Sequence, residues 1–376
     1  MNKHTLIAEL KENLKANPKY LDTTHFLKYV SLQLQDDKDM ALIAVQNKSS
    51  ELEYVSTRLR DDDDVIKEAI KNNGNLYFAS DRLKNDYNLV MLAVKNNVSN
   101  IEYASENLRN DKSIIQAAIN SDACAIKYAS ETLRDDKELF LQALSKESAS
   151  MYFNLYYASE RLKADPTVVL QAVKQHGFNL QYASEELKND KNIVLEALED
   201  NSFSLQFASD NIKDNREIVF KYVGKNGLIL SYASERLKND QEVVEKAINK
   251  LSSAFQFASK RLRSNKEFSL WAISQNGYNL KYVTPKLKNN RELVQAAINQ
   301  RSGSIQYASS ELKNDKEIVL SSLHDNPNQI AFAGKKLREE IGDNEPVHYL
   351  KSYLLMEKIE KRVPQKANII KEKNKI

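Results

Sequence analysis

The chain has 376 residues, 55 Lys and Arg against 52 Asp and Glu for a net charge of +3, 41% hydrophobic residues, and only eight Gly and six Pro. So little turn chemistry excludes a β-sandwich, a barrel or a Gly-rich α/β fold, and no apolar stretch reaches the roughly 18 residues of a transmembrane helix. A single cysteine, Cys124, excludes an internal disulfide framework or a cysteine metal cluster and suits a reducing compartment.

Residues 1–26 carry Leu6, Ile7, Leu10 and Leu14 at helical spacing, which reads as an N-terminal capping helix without the apolar run of a Sec-type signal peptide. From Tyr29 onward an aromatic followed by two small residues recurs, at Tyr54, Phe78, Tyr103, Tyr128, Tyr157, Tyr182, Phe207, Tyr232, Phe257, Tyr282, Tyr307 and Phe332. Ten of the twelve intervals are 25 residues; the one ahead of Phe78 is 24 and the one ahead of Tyr157 is 29. Such a register predicts an all-α fold, an α-solenoid of about twelve 25-residue two-helix repeats over residues 27–338, irregular near residues 145–156.

Each unit carries two helical patterns. In the first, Leu180, Ala183 and Leu187 stand at i, i+3 and i+7, which predicts one helix running through Tyr182. In the second, Ile193, Val194, Ala197 and Leu198 form an apolar stripe, and the recurrent Ala lets short helices approach closely. Asp135, Asp214, Asn239, Ser264, Asn289 and Asn314 each precede a Glu by three residues, the capping-box spacing, and are predicted to start the second helices. Gly74, Gly177, Gly227 and Gly277 are predicted to end them in the left-handed conformation, and Asn179, Ser204, Asn279 and Ser304 to open the next first helix. Residues 339–376 read as a C-terminal capping helix starting at Pro346, followed by a Lys-rich tail that frays beyond Pro364.

The pattern Leu-x-Tyr-Ala-Ser-x-x-Leu-Lys-Asn-Asp is carried by Leu180–Asp190 and Leu230–Asp240. It resembles the repeat of a family catalogued only as a domain of unknown function, found as tandem helical units in proteins of intracellular bacteria and protists. The resemblance spans about residues 27–338 and departs at Phe332-Ala333-Gly334, where the Ser is lost. It implies a helical repeat array, often within secreted effectors, and brings no catalytic residues.

Six residues after the aromatic stands Lys or Arg in twelve of the thirteen units, a ladder that a polyanion would suit. The alternative is that each base compensates the negative end of its own helix. Two residues further runs an acidic ladder that nearly cancels it, broken by Asn215, Asn265 and Asn290. The field is therefore expected to be most positive in the C-terminal third, with Arg263, Lys288, Lys313 and Arg338 as candidate anion-binding residues. The aromatic ladder invites base stacking, but its spacing beside Leu and Ala favours packing between units.

Departures from the repeat supply the candidate partner-binding residues. Trp271 is the only tryptophan and occupies a slot that is mostly polar elsewhere, so it is either an interface anchor or locally repacked. The long interval adds Met151, Tyr152, Phe153 and Tyr156, either a recognition loop or an apolar plug. Tyr222 replaces the usual Ala and is expected to push helices apart. Five scattered His residues, no Gly-rich phosphate loop and no calcium-loop spacing leave no catalytic or metal site to name.

These readings predict a non-enzymatic scaffold that binds a protein partner along a concave face, with no cofactor. It is expected in the cytoplasm of its producer or, as a secreted bacterial effector, inside a host cell. The competing readings are a polyanion or nucleic-acid binder using the Lys/Arg ladder, and an enzyme of unrecognised type. Residues 357–376 hold seven basic and three acidic side chains, so the rest of the chain carries −1. That near-neutrality argues against nucleic acid.

Overall fold

The computed structural model describes residues 25–146, 155–324 and 326–373, with Ala8 and Glu12, and side chains as far as Lys361. The expected N-terminal capping helix therefore lies outside the described residues, as do Met151, Tyr152 and Phe153. The chain divides into two compact units, Met1–Phe207 and Ala208–Ile376. Among the described residues neither contains a strand, and the protein is an all-α solenoid built from tandem repeats.

Each repeat has three pieces rather than two. In one, a 3-10 segment, Gly227–Tyr232, precedes a one-turn helix, Glu235–Lys238, and a longer helix, Gln241–Lys250. The expectation of a helix through the aromatic is corrected here. Ala233 and Ser234 are extended (φ −65°, ψ 158° and φ −60°, ψ 159°), so the chain turns just after Tyr232. The Ser234 Oγ then accepts from the Leu237 amide, 3.2 Å away, and caps the short helix. The apolar spacing was compatible with helix because both pieces bury the same face: Leu230 and Leu237 are fully buried.

The long helices stack on one another within each unit, and their apolar stripe is the core. Val243, Val244, Ala247 and Ile248 of Gln241–Lys250 are buried, and the same four slots are buried in Ile114, Ile115, Ala118 and Ile119. Each fully buried Val, Leu or Ile contributes roughly 1.5–3 kcal/mol, and the repeated Ala allows close approach. Tyr222 is accommodated in this layer with no exposed surface, flanked by the ammonium groups of Lys221 and Lys225 at 5.1 and 4.9 Å from its ring.

The long helices start one residue later than the capping-box spacing implied. Asp136, Asn215, Asp240, Asn265, Asn290 and Asp315 are the caps, each accepting from the amide three residues on. The ladder described above as acidic is therefore the row of N-caps, which satisfies orphan amides and places charge at the positive helix end. Asn and Asp are equivalent as caps, which is why Asn215, Asn265 and Asn290 are tolerated.

Two further expectations change. Gly177 and Gly277 do not adopt left-handed φ; they begin 3-10 segments, and a Cβ at either would run into the carbonyl oxygen of Ala197 or Ala297 on the long helix of the same repeat. Close approach, not turn geometry, requires glycine there. Asn179, Ser204, Asn279 and Ser304 do not open helices; they are buried inside the stack. Asn100 shows what such a residue does. Its Oδ1 accepts from Leu76 N at 2.8 Å in the preceding repeat, and its Nδ2 donates to Ala93 O at 3.1 Å. In the second repeat Glu51, 1% exposed, does the same toward the first, accepting from Phe26 N and Leu27 N at 2.8 Å.

At the C-terminal end the helix Pro346–Lys373 packs on Lys316–Leu323 and buries Leu350. It continues through Pro364 rather than ending there.

Candidate recognition surface

The 3-10 segments and short helices form one surface of each unit, and what holds that surface together decides which of its groups remain available. The backbone link recurs. The amide of the Ser that follows the ladder aromatic and its Ala donates to the carbonyl of the preceding repeat's ladder base: Ser80 to Arg60, Ser105 to Lys84, Ser130 to Arg109, Ser259 to Lys238 and Ser309 to Lys288, at 2.8–3.1 Å. The ladder base thus serves the fold through its main chain, which any residue except proline at the donor end would permit.

A side-chain clamp, absent from the sequence reading, reinforces the link. Ser80 Oγ donates to Asp61, and Arg82 Nε reaches the same carboxylate at 2.9 Å. Ser159–Asp135–Arg161 and Ser234–Asp214–Arg236 repeat the arrangement with Nε–O distances of 3.0 Å. The Ser hydroxyl first, and the guanidinium second, hold the carboxyls of Asp61, Asp135 and Asp214 below their ordinary range. A signal for the clamp does exist in the sequence. Arg two residues after the Ser accompanies Asp61, Asp135 and Asp214 in the preceding repeat, and in one case Asn239, whereas Asn85 and Asn110 go with Asn107 and Thr132.

The ladder bases meet different fates. Lys163, Lys188 and Lys238 are mostly buried and pair with the Glu three residues earlier, Glu160, Glu185 and Glu235, at 2.8–3.0 Å. Arg60 and Arg263 turn back on their own repeats, with Nε donating to Val55 O and Ala258 O, and Arg60 stacks 5.4 Å from the Phe78 ring. Arg263 also donates to Tyr282 O, so this candidate anion-binding residue is committed to carbonyls. Arg338 lies exposed on the last short helix, Lys335–Ile341. Lys288 and Lys313 are half-buried and have no carboxylate within ion-pair distance among the described residues.

Of the candidate partner-binding residues, Tyr156 is 55% exposed, with its ring edge-on to Tyr157 and Tyr182 at 5.0 and 5.4 Å. It lines an open groove of about 470 Å³ with Glu131, Arg134, Tyr157 and Lys163. A second groove of about 510 Å³ lies one repeat earlier, between Arg109, Tyr128 and Arg134. The Nε atoms of Arg109 and Arg134 are buried without a hydrogen-bond partner among the described residues. Tyr77, immediately before Phe78 as Tyr156 is before Tyr157, is 56% exposed. Sequence reasoning missed it because its repeat has no insertion. Trp271 is half-buried on the long helix Lys266–Gln275, its ring 5.5 Å from Phe268, so much of its apolar surface is already used. No cluster of three or more His, Cys, Asp or Glu suited to a metal occurs among the described residues. No described helix is long and apolar enough to cross a membrane.

Comparison with known families gives the same periodicity. The family model described as a domain of unknown function (DUF4116) matches residues 11–60, 62–109, 88–134, 111–163, 136–180, 165–213, 215–263, 246–288, 265–309 and 290–338. The chain belongs to this family. No curated protein and no solved structure matches it. The ten DUF4116 segments follow one another along the repeats.

Proposed function

We propose that the chain is a non-enzymatic scaffold that binds a protein partner through the surface of 3-10 segments and short helices. The observation that carries this reading is the division of labour on that surface. The recurrent residues are consumed in joining repeats, while the slot just before the ladder aromatic, a half-buried Gln bonded to its own backbone in Gln181, Gln206, Gln256 and Gln306, is exposed and changed at Tyr77, Lys127, Tyr156 and Lys281. An exposed tyrosine, Tyr156, sharing a groove with Arg134, whose Nε is unpartnered among the described residues, is the pairing of residue types that anchors protein interfaces. A role as an effector delivered into a host cell rests on the resemblance of the repeat to arrays in such proteins.

The test is quantitative affinity capture from host-cell lysate with the wild type, Tyr156→Ala and Trp271→Ala, with helical content checked by circular dichroism. A partner retained by the wild type and reduced at least tenfold by Tyr156→Ala supports the reading. Capture unchanged by either substitution removes the site, and a partner-independent chemical turnover by the purified chain removes the scaffold.

A further inference from the structure

The near-neutral repeats conceal one strongly basic stretch. Between Ala258 and Asn290 stand seven Lys and Arg and a single carboxylate, Glu267. The excess arises because three separate acidic slots of the repeat are emptied together. The clamp carboxylate is replaced by Ser264 and Asn289, and one repeat earlier by Asn239, whose Oδ1 receives Arg261 Nε at 2.7 Å where Asp214 receives Arg236. The cap carboxylate is replaced by Asn265 and Asn290, which still cap through Oδ1. The Glu that neutralises the ladder base in Lys163, Lys188 and Lys238 is replaced by Lys260, Pro285 and Ser310. None of these changes disturbs the stack, because the Thr284 and Ser309 amides still reach the carbonyls of Arg263 and Lys288 at 3.2 and 2.9 Å. The helix caps and the main-chain links between repeats persist while the charges are gone.

We propose that the strip formed by Lys281, Lys288 and Lys313 docks an extended, acidic polypeptide segment of the partner. The proposal rests on the scaffold reading and names the chemistry of what the scaffold takes. Lys288 and Lys313 occupy the same slot in consecutive repeats, and Lys281 is the exposed residue before Tyr282. Glu311, the nearby carboxylate, is engaged by Asn289 Nδ2 at 2.8 Å instead of by a ladder lysine. Burial first, then the like charges of Lys313 and Lys281, lower the Lys288 pKa, so the three ammonium groups share one field. An anion laid across them relieves that repulsion.

Spacing and aromatics favour polypeptide over nucleic acid. Packed helical layers repeat about every 8–10 Å, and an extended chain rises about 3.3 Å per residue, so carboxylates three residues apart match successive ladder lysines. Single-stranded nucleic acid would need open aromatic faces for its bases. Here the Tyr282 ring carries Lys281 at 5.6 Å, and Tyr278 is covered by Arg301 at 5.3 Å and meets Tyr307 edge-on.

The test is fluorescence anisotropy of the full chain with a labelled dodecapeptide of four Glu-Ser-Gly units at low salt, against a labelled 12-nucleotide oligothymidylate. The peptide is expected to bind, to weaken at least tenfold on Lys288→Glu plus Lys313→Glu, and to change less than twofold on Lys238→Glu, whose slot is already paired. Lys288→Gln plus Lys313→Gln, with helical content unchanged, separates loss of charge from loss of fold and is expected to weaken binding at least threefold. No peptide binding, equal loss with Lys238→Glu, or binding of the oligonucleotide in place of the peptide overturns the proposal. If the peptide fails while the lysate partner is still captured and lost on Tyr156→Ala, only the acidic-segment inference falls; if that partner is absent too, the scaffold reading falls with it.

Discussion

Asn100→Ala isolates the contribution of one buried inter-repeat link. The Asn100 amide has no exposed surface and bridges two repeats, accepting from Leu76 N at 2.8 Å and donating to Ala93 O at 3.1 Å. The two ends are not equivalent. Ala93 O also receives Asn97 N at 2.9 Å, so it stays satisfied when the side chain is removed. Leu76 N loses its acceptor inside the stack, a cost of about 1–3 kcal/mol. The small void left by the amide adds about 1 kcal/mol. The expected total is about 2–4 kcal/mol, felt first at the junction because stability in such arrays is a sum of unit and neighbour terms. Native-state hydrogen exchange at the Leu76 amide reads it directly. At about 1.4 kcal/mol per decade, protection should fall roughly 30- to 700-fold. A change below about threefold at Leu76, with the variant folded, would refute the reasoning and mean that water or a shifted main chain replaces the amide at no cost.

Other consequences are open to measurement. Gly277→Ala should destabilise by about 1–3 kcal/mol in urea unfolding, since the new Cβ meets the Ala297 carbonyl and the Ser304 hydroxyl; an unchanged midpoint would show that the contact can open freely. Tyr222→Ala removes a ring with no exposed surface and should cost about 3–5 kcal/mol by the same assay, whereas restoring the Ala of other repeats without loss would mean that the neighbours close over the space. Burial alone would raise the Asp165 carboxyl, but Lys137 at 2.7 Å and the Val168 and Thr167 amides outweigh it and hold it low. Its contribution is therefore complete above the ordinary aspartate value of about 4 and is lost as pH falls through the lower folded value. Thermal midpoints followed by circular dichroism should drop between pH 5 and about 2 in the wild type. Asp165→Asn, which keeps a cap, should reduce that drop, and an identical pH profile would remove Asp165 from the account.

The repeat length, the buried stripe and the helical class were legible because burial enforces them at fixed spacing. Leu180, Leu187, Ile193 and Leu198, picked out by periodicity, are all buried. The break after the aromatic was not legible, because Leu180 and Leu187 bury the same face whether or not Ala183 and Ser184 between them are helical. The cap was misplaced by one residue because Asp135 and Asp136 both have capping side chains, and only the backbone decides. Asp136 is extended, while Asp135 closes the short helix and turns its carboxylate to Ser159. On the recognition surface, Tyr156 was visible through the added residues of its 29-residue interval, but Tyr77 sits in the unit whose interval is one residue short, which adds no residue to single out, and its exposure distinguishes it. The basic strip was half visible. Counting ladder bases found Lys288 and Lys313, yet their freedom depends on the missing Glu three residues earlier, which matters only once that ion pair is seen in Lys163, Lys188 and Lys238.

The Ser-to-carbonyl junction has a genetic consequence. Because Ser105, Ser130, Ser234 and Ser259 all meet the preceding repeat through the same main-chain carbonyl, the main-chain part of the joint is indifferent to the residue that owns that carbonyl, and only the side-chain clamp distinguishes one seam from another. A recombination event that deletes or duplicates one whole period within a unit rejoins like with like, while a slip of a few residues does not. Array length can therefore drift in whole-period steps between related genes with the main-chain joint intact, leaving the clamp pair as the side-chain contact to be rematched at the seam.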